Sequence, residues 1–333
     1  MISDTVEKII QRSIVWDNHG CMPLRADDGF LDQLQRYRES GHDVVSLNVG
    51  YDIKTIEEDV RVLAHFRHWV KRHSDDYVLV DKVDDIIKAK ETGKLAVSFD
   101  LEGTVALGDQ LSMIEMYYDL GVRWMLMAYN KTNSVGGGCQ DEDTGLTQFG
   151  RDVLDEMQRV GMVPCCSHVG WRTAREVIDY VNGPVIFSHS NAYEVFAHRR
   201  NIPDDLIKAC AASGGVVGLN GISRFIGKKS ESEHDNSTEA LFRHLDYMVQ
   251  MVGPDHVGLA LDYVFDQSQL LHHFKSRPDL FPPELGYTKA TPMVEPERLP
   301  AIVKVMLDHG YQEDAIAKVL GANHLRVALA CWK

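Results

Sequence analysis

Long apolar runs are missing from this chain. No stretch approaches the ~20 consecutive hydrophobic residues that a helix needs to cross a bilayer, so no membrane span is expected. Excess positive charge is missing too. Lys and Arg number 35 against 49 Asp and Glu, a formal net charge of −14, and no basic cluster occurs. Such a chain is a poor counterion for phosphate backbones and anionic headgroups, which argues against nucleic acid and membrane as partners. Cysteine is sparse and shows no regular spacing. Cys21, Cys139, Cys165, Cys166, Cys210 and Cys331 suggest no disulfide framework. Cys165 and Cys166 are adjacent in a strand-like run, so their side chains should point to opposite faces. The opening residues carry acids where a secretory leader has its positive region. A reducing, cytoplasmic setting is therefore the expectation. Repeats, low-complexity tracts and linkers are also lacking, which predicts one domain over residues 1–333.

What is present is an ordinary globular composition, 44% hydrophobic and 25% charged, which excludes a disordered or fibrous chain. Eight short apolar runs cover residues 13–19, 43–49, 94–102, 124–130, 162–169, 184–190, 215–220 and 256–262. They are rich in Val, Ile and Leu and alternate little, as strands buried on both faces of a parallel sheet do. Between them lie stretches of helical periodicity. Residues 55–73 and 146–160 are two, the second with Leu146, Val153, Leu154 and Met157 on one side. Residues 204–212 follow a Pro and open with two acids, and 237–252 carry Leu241, Leu245, Met248 and Val252 at helical spacing. Strands alternating with helices predict an α/β fold, a (β/α)8 TIM-type barrel; a doubly wound sheet is the alternative. Three long connections, 130–145, 222–236 and 263–297, each follow a strand end. Connections of that length in a compact domain usually carry function.

Polar side chains collect at those same strand ends. The first run ends at His19 and Cys21, the third at Glu102, the fourth at Tyr129, the fifth at His168, the sixth at His189 and the eighth at Asp262. In a parallel barrel the C-terminal strand ends converge on one face. His19 and Cys21 are two residues apart and point the same way in extended backbone. Imidazole, thiolate and carboxylate are all ligands for Zn2+. One histidine ending one strand is ordinarily just hydrogen-bonded; three histidines and a glutamate on four strands point to a metal. Taken singly, Cys21 reads as a small buried apolar residue, Tyr129 as packing and Asp17 as a cap or turn.

These residues resemble the renal (membrane) dipeptidase family of zinc peptidases, within the amidohydrolase superfamily of metal-dependent barrels. The longest match is Gly183-Pro-Val-Ile-Phe-Ser-His-Ser-Asn-Ala-Tyr193, continuing through His198-Arg-Arg-Asn-Ile-Pro-Asp-Asp205. Phe99-Asp-Leu-Glu-Gly103, Ser167-His-Val169, Gly253-Pro-Asp-His-Val-Gly258 with Asp262, and Gly321-Ala-Asn-His-Leu-Arg-Val327 support it.

The resemblance implies a two-zinc site. His19 would serve the first ion, Glu102 would bridge, and His168 and His189 would hold the second. Asp262 would be the acid/base aspartate, and Arg200 would grip the substrate's terminal carboxylate through paired hydrogen bonds. Two positions depart from the family pattern. Cys21 stands where an aspartate completes the first zinc's set, and Tyr129 stands where a histidine contacts substrate. A Cys21 thiolate could take the ligand's place; a protonated thiol would leave one ion. The implied activity is hydrolysis of a dipeptide, or a similar small carboxylate-bearing amide, by zinc-activated water, with one or two zinc ions and a homodimeric assembly. The alternatives are a one-metal amidohydrolase acting on another amide, lactone or N-acyl compound, and a barrel that binds without catalysis.

Overall fold

The structure is a computed structural model describing residues 2–333, with side chains from Asp4 onward; Met1, which opens the acidic leading segment, lies outside the described residues. Among the described residues there are nine strands: β1 (Trp16–Cys21), β2 (Val44–Tyr51), β3 (Tyr77–Leu79), β4 (Leu95–Glu102), β5 (Val122–Leu126), β6 (Val163–Cys165), β7 (Val217–Leu219), β8 (Val257–Leu259) and β9 (Tyr263–Val264). They pair in parallel in the order β6-β5-β4-β2-β1-β8-β7. The gap between β6 and β7 is closed by Ile186 and Phe187, which bridge to Cys165 and Val217. The result is an eight-membered α/β barrel.

Two details differ from the sequence expectation. The run 184–190 is no regular strand. It joins its neighbours through isolated bridges, because Pro184 lacks an N–H and side chains replace part of the ladder. The Ser188 amide donates to Cys165 Sγ and the His189 amide to Ser167 Oγ. Two short strands were also not foreseen. β3 pairs the start of β4 on the edge that β5 uses further along, and β9 pairs the end of β1.

The helices follow their sequence signals closely. Ile56–Arg72 starts at Thr55, whose hydroxyl accepts from the Glu58 amide while Glu58 accepts from the Thr55 amide. That reciprocal cap satisfies two amides with no helical partner. Thr147 caps Gln148–Val160 and Ser237 caps Thr238–Val252. Their apolar faces bury Val153, Leu154 and Met157, and Leu241, Leu245 and Met248, against the barrel. Each such side chain contributes about 1.5–3 kcal/mol when fully buried. All six cysteines are free, and Cys165 and Cys166 are both buried.

The three long connections lie over the C-terminal strand ends. Segment 130–145 has no regular helix, 222–236 contains the short helix Ser223–Ile226, and 263–297 contains β9 and the helix Gln267–Ser276. Asn130, Arg224, Phe225, Phe274, Phe281 and Tyr287 from these segments wall a cleft of about 850 Å3 that opens to solvent.

Candidate metal centre

The floor of that cleft is built from strand ends. β1 supplies His19 and Cys21, separated by Gly20. A Cβ at Gly20 would lie 2.7 Å from the Tyr37 hydroxyl, so glycine lets Tyr37 pack against the strand opposite the side that bears both ligand-type side chains. β4 supplies Asp100 and Glu102, two apart on one face. The exits after β6, after Ile186–Phe187 and after β8 supply His168, His189 and Asp262. Asn130, His168 and Asp262 all have positive φ, at 59°, 63° and 56°. Such backbone is uncommon outside glycine and costs about 1 kcal/mol or more per residue. Cross-strand bonds hold it: the Cys139 amide donates to the His168 carbonyl, and the Asp262 amide to the His19 carbonyl.

One oxygen is common to the three imidazoles. Glu102 Oε1 lies 3.5 Å from His19 Nε2, 3.3 Å from His168 Nε2 and 3.3 Å from His189 Nε2. His168 Nε2 and His189 Nε2 are 3.0 Å apart. On the other side, Cys21 Sγ lies 3.4 Å from both His19 Nε2 and Asp262 Oδ1, and Asp262 Oδ1 is 3.5 Å from His19 Nε2. Two triads could each hold a cation, His19–Cys21–Asp262 and His19–Glu102–His189. His168 adjoins the second.

The far nitrogens are tied back. His19 Nδ1 is 3.3 Å from Asp100 Oδ2, and Asp100 Oδ1 accepts from the Asn48 amide group. His168 Nδ1 is 2.7 Å from Asn130 Oδ1, and His189 Nδ1 is 2.9 Å from Ser188 Oγ. An amide oxygen only accepts, so His168 carries its proton on Nδ1 and turns a bare Nε2 lone pair inward. Burial pulls His19 down, but the Cys21, Asp100 and Glu102 charges outweigh it and hold this imidazole well above its ordinary range. Burial, followed by the Arg200 and His19 charges, holds His168 far below the ordinary imidazole range. Burial, followed by the same two charges, does so for His189. His168 Nε2, His189 Nε2 and Glu102 Oε1 crowd three ligand-type atoms within 3.3 Å of one another, and a cation among them would satisfy all three at once. The donor set therefore fits a metal, and the bonds behind the ligands are those that orient histidines in metal sites. Burial pushes the Cys21 thiol upward, outweighing the pull of His19; a coordinated cation reverses this and removes the proton.

The remaining sequence candidates are placed as follows. Tyr129 lines the cleft and stacks on the His168 ring, centroids 4.2 Å apart. Asp262 Oδ2 accepts from the Asn220 side chain at 2.8 Å. Asp17 ties strands together, its Oδ1 accepting from the Leu261 and His19 amides. Arg200 is 2% exposed and sits behind His189, with Nη2 donating to the His189 carbonyl and Nε unpartnered. Sequence reading passed over Asp100, Asn130, Ser188 and Arg224. Only Asp100 left a signal, two residues before Glu102 and therefore on its face.

A profile of the membrane dipeptidase family (peptidase family M19) matches residues 4–288. An uncharacterized dipeptidase of Schizosaccharomyces pombe is 35% identical over 205 residues, covering 59% of this chain and 48% of the relative. A dipeptidase of Claviceps purpurea is 28% identical over 258 residues, covering 77% of this chain and 55% of the relative. The chain thus spans about half the length of these curated relatives. The crystal structure of an amidohydrolase from Pseudomonas aeruginosa superposes with a TM-score of 0.87 at 26% identity, covering 98% of this chain and 99% of that one. The match extends over most of the sequence, and the chain belongs to the membrane dipeptidase family, peptidase family M19.

Proposed function

We propose that this protein hydrolyses the amide bond of dipeptides with the help of bound zinc. The observation that carries the reading is the convergence of His19, His168 and His189 on Glu102 Oε1 within 3.5 Å. His168, His189 and Glu102 would hold one ion, and His19, Cys21 and Glu102 a second. Bound zinc would supply Lewis acidity and lower the pKa of water to near 7.

The chain's own groups do the rest. Asp262 faces the ligand cluster through Oδ1, while Asn220 holds its other oxygen. It takes a proton from the attacking water and returns it to the departing amine. The Tyr129 hydroxyl donates to the carbonyl oxygen as negative charge builds there. Arg200 carries an unpartnered guanidinium nitrogen next to the His189 backbone and binds the terminal carboxylate.

The test combines metal analysis of purified protein with a hydrolysis screen of L,L- and L,D-dipeptides. The reading expects about two equivalents of zinc and hydrolysis that is lost in His189→Ala. One equivalent with hydrolysis intact would favour the one-metal amidohydrolase. Metal-loaded protein that cleaves no dipeptide would overturn the reading.

A further inference from the structure

Arg224 takes no part in the chemistry above, yet it is the cation that walls the cleft. It belongs to the short helix Ser223–Ile226 in the connection after β7 and is only 3% exposed. Its guanidinium lies 4.6 Å from the Tyr287 ring centroid and 5.7 Å from that of Phe274. Nη2 donates to the Thr291 hydroxyl. Nη1 is buried and has no partner. It rests beside Gly286, where a Cβ would come within 2.8 Å of it, so the absence of a side chain there leaves the nitrogen its room.

Among the described residues no carboxylate is within ion-pair distance of Arg224, although most other partly buried arginines here have one or donate to several carbonyls. Arg200 adds to the positive charge nearby: burial and then the Arg200 and Arg224 charges push His198 down to about 3, so that imidazole stays neutral. The Arg200 and Arg224 charges both reach the Tyr287 phenol. Arg200 is felt by Glu102 of the metal centre, whereas burial dominates at Arg224 and its one acidic neighbour is the Tyr287 phenol. A desolvated guanidinium with a spare donor and no counter-charge is expensive unless a bound anion neutralises it. Stacked on aromatic faces, it is held in a fixed plane suited to a carboxylate's two oxygens.

We propose that Arg224 binds a second carboxylate of the substrate, so that the preferred dipeptides carry an acidic side chain in addition to the terminal carboxylate. This rests on the dipeptidase reading and names its substrate class. The wide apolar wall beside Arg224, including Phe225, Phe274 and Met293, would cover the methylenes of such a side chain.

The experiment uses matched pairs that differ only in side-chain charge: Ala-Glu against Ala-Gln, and Glu-Ala against Gln-Ala. In one pair the acid should exceed its amide in kcat/KM by about tenfold or more, as loss of a hydrogen bond to a charged group implies. Arg224→Met should bring that ratio to about one, and Arg224→Lys, which keeps the charge, should retain part of it. Equal rates on acid and amide in wild type, or a preference that survives Arg224→Met, would overturn the proposal. A second measurement needs no turnover. Free glutamate should raise the melting temperature of metal-loaded wild type more than glutamine does, and this difference should vanish in Arg224→Met. If no dipeptide is cleaved but the glutamate effect depends on Arg224, the dipeptidase reading fails and the anion site stands. If glutamate and glutamine act alike on wild type, the anion site fails even where dipeptides are cleaved.

Discussion

Asp100 shows how the centre is supported one layer behind its ligands. Its Oδ2 holds His19 Nδ1, and its Oδ1 is fixed by Asn48. Replacing it by Asn keeps the shape but removes the negative charge that strengthens imidazole as a donor. Partners of this kind are worth about 10–100-fold in metal affinity. Asp100→Asn should therefore weaken metal binding by that order in a chelator competition, with the far-ultraviolet spectrum unchanged; an unaltered affinity would mean that Asp100 serves packing only. At this scale the sequence was readable where position at a strand end brings side chains together, as for His19, Glu102, His168, His189 and Asp262. It was silent where the role depends on a neighbour from another strand. Asn130 matters because His168 lies 38 positions on. Arg224 matters because nothing pairs with it, and a missing partner leaves no mark in a sequence.

The helix Ile56–Arg72 illustrates what an element reveals and hides. Its span and its Thr55–Glu58 cap follow from periodicity and residue type. Its Asp59 does not look unusual in the sequence, sitting in an acidic first turn. In the fold it is turned onto Gly50 of β2, buried, with neither carboxylate oxygen hydrogen-bonded. Burial pushes this carboxyl up to about 8 from an ordinary 3.8. The folded state thus holds the proton more tightly than the unfolded chain does. Its contribution to stability is full below about pH 4 and is lost as pH rises toward 8. The loss amounts to about 1.4 kcal/mol for each pH unit crossed in that window. Asp59→Asn should be more stable than wild type at pH 8, and its urea midpoint should change less between pH 5 and pH 8. A midpoint at pH 8 equal to or below that of wild type would count against a strained, buried carboxyl. The strand exits are the other hidden feature. The left-handed turns at Asn130, His168 and Asp262 aim side chains inward, and nothing in those residue types demands them.

At the scale of the whole molecule, the barrel was legible because eight Val/Ile/Leu runs separated by capped amphipathic helices admit few other arrangements. The ring's unevenness was not. β2 and β4 pair along five consecutive residues from Val44↔Ala96 to Asn48↔Asp100, whereas the stave at Ile186–Phe187 has isolated bridges and side-chain acceptors. Its composition resembles that of the other runs, so periodicity could not distinguish it.

That thin stave bears His189. Proteins open locally where backbone pairing is sparse, and a ligand that binds only the closed form suppresses the opening. An ion shared by His189 and Glu102 would link this stave to β4, across the ring, more firmly than its own amides link it to β6 and β7. Chelation should then accelerate deuterium uptake at residues 186–190 well before it affects β2 or β4. Uptake that rises evenly around the ring would show that the stave needs no such clasp. On this account the proposed metal centre would also keep the hoop shut. Losing the metal would loosen the wall of the reaction chamber first, leaving the rest of the barrel standing.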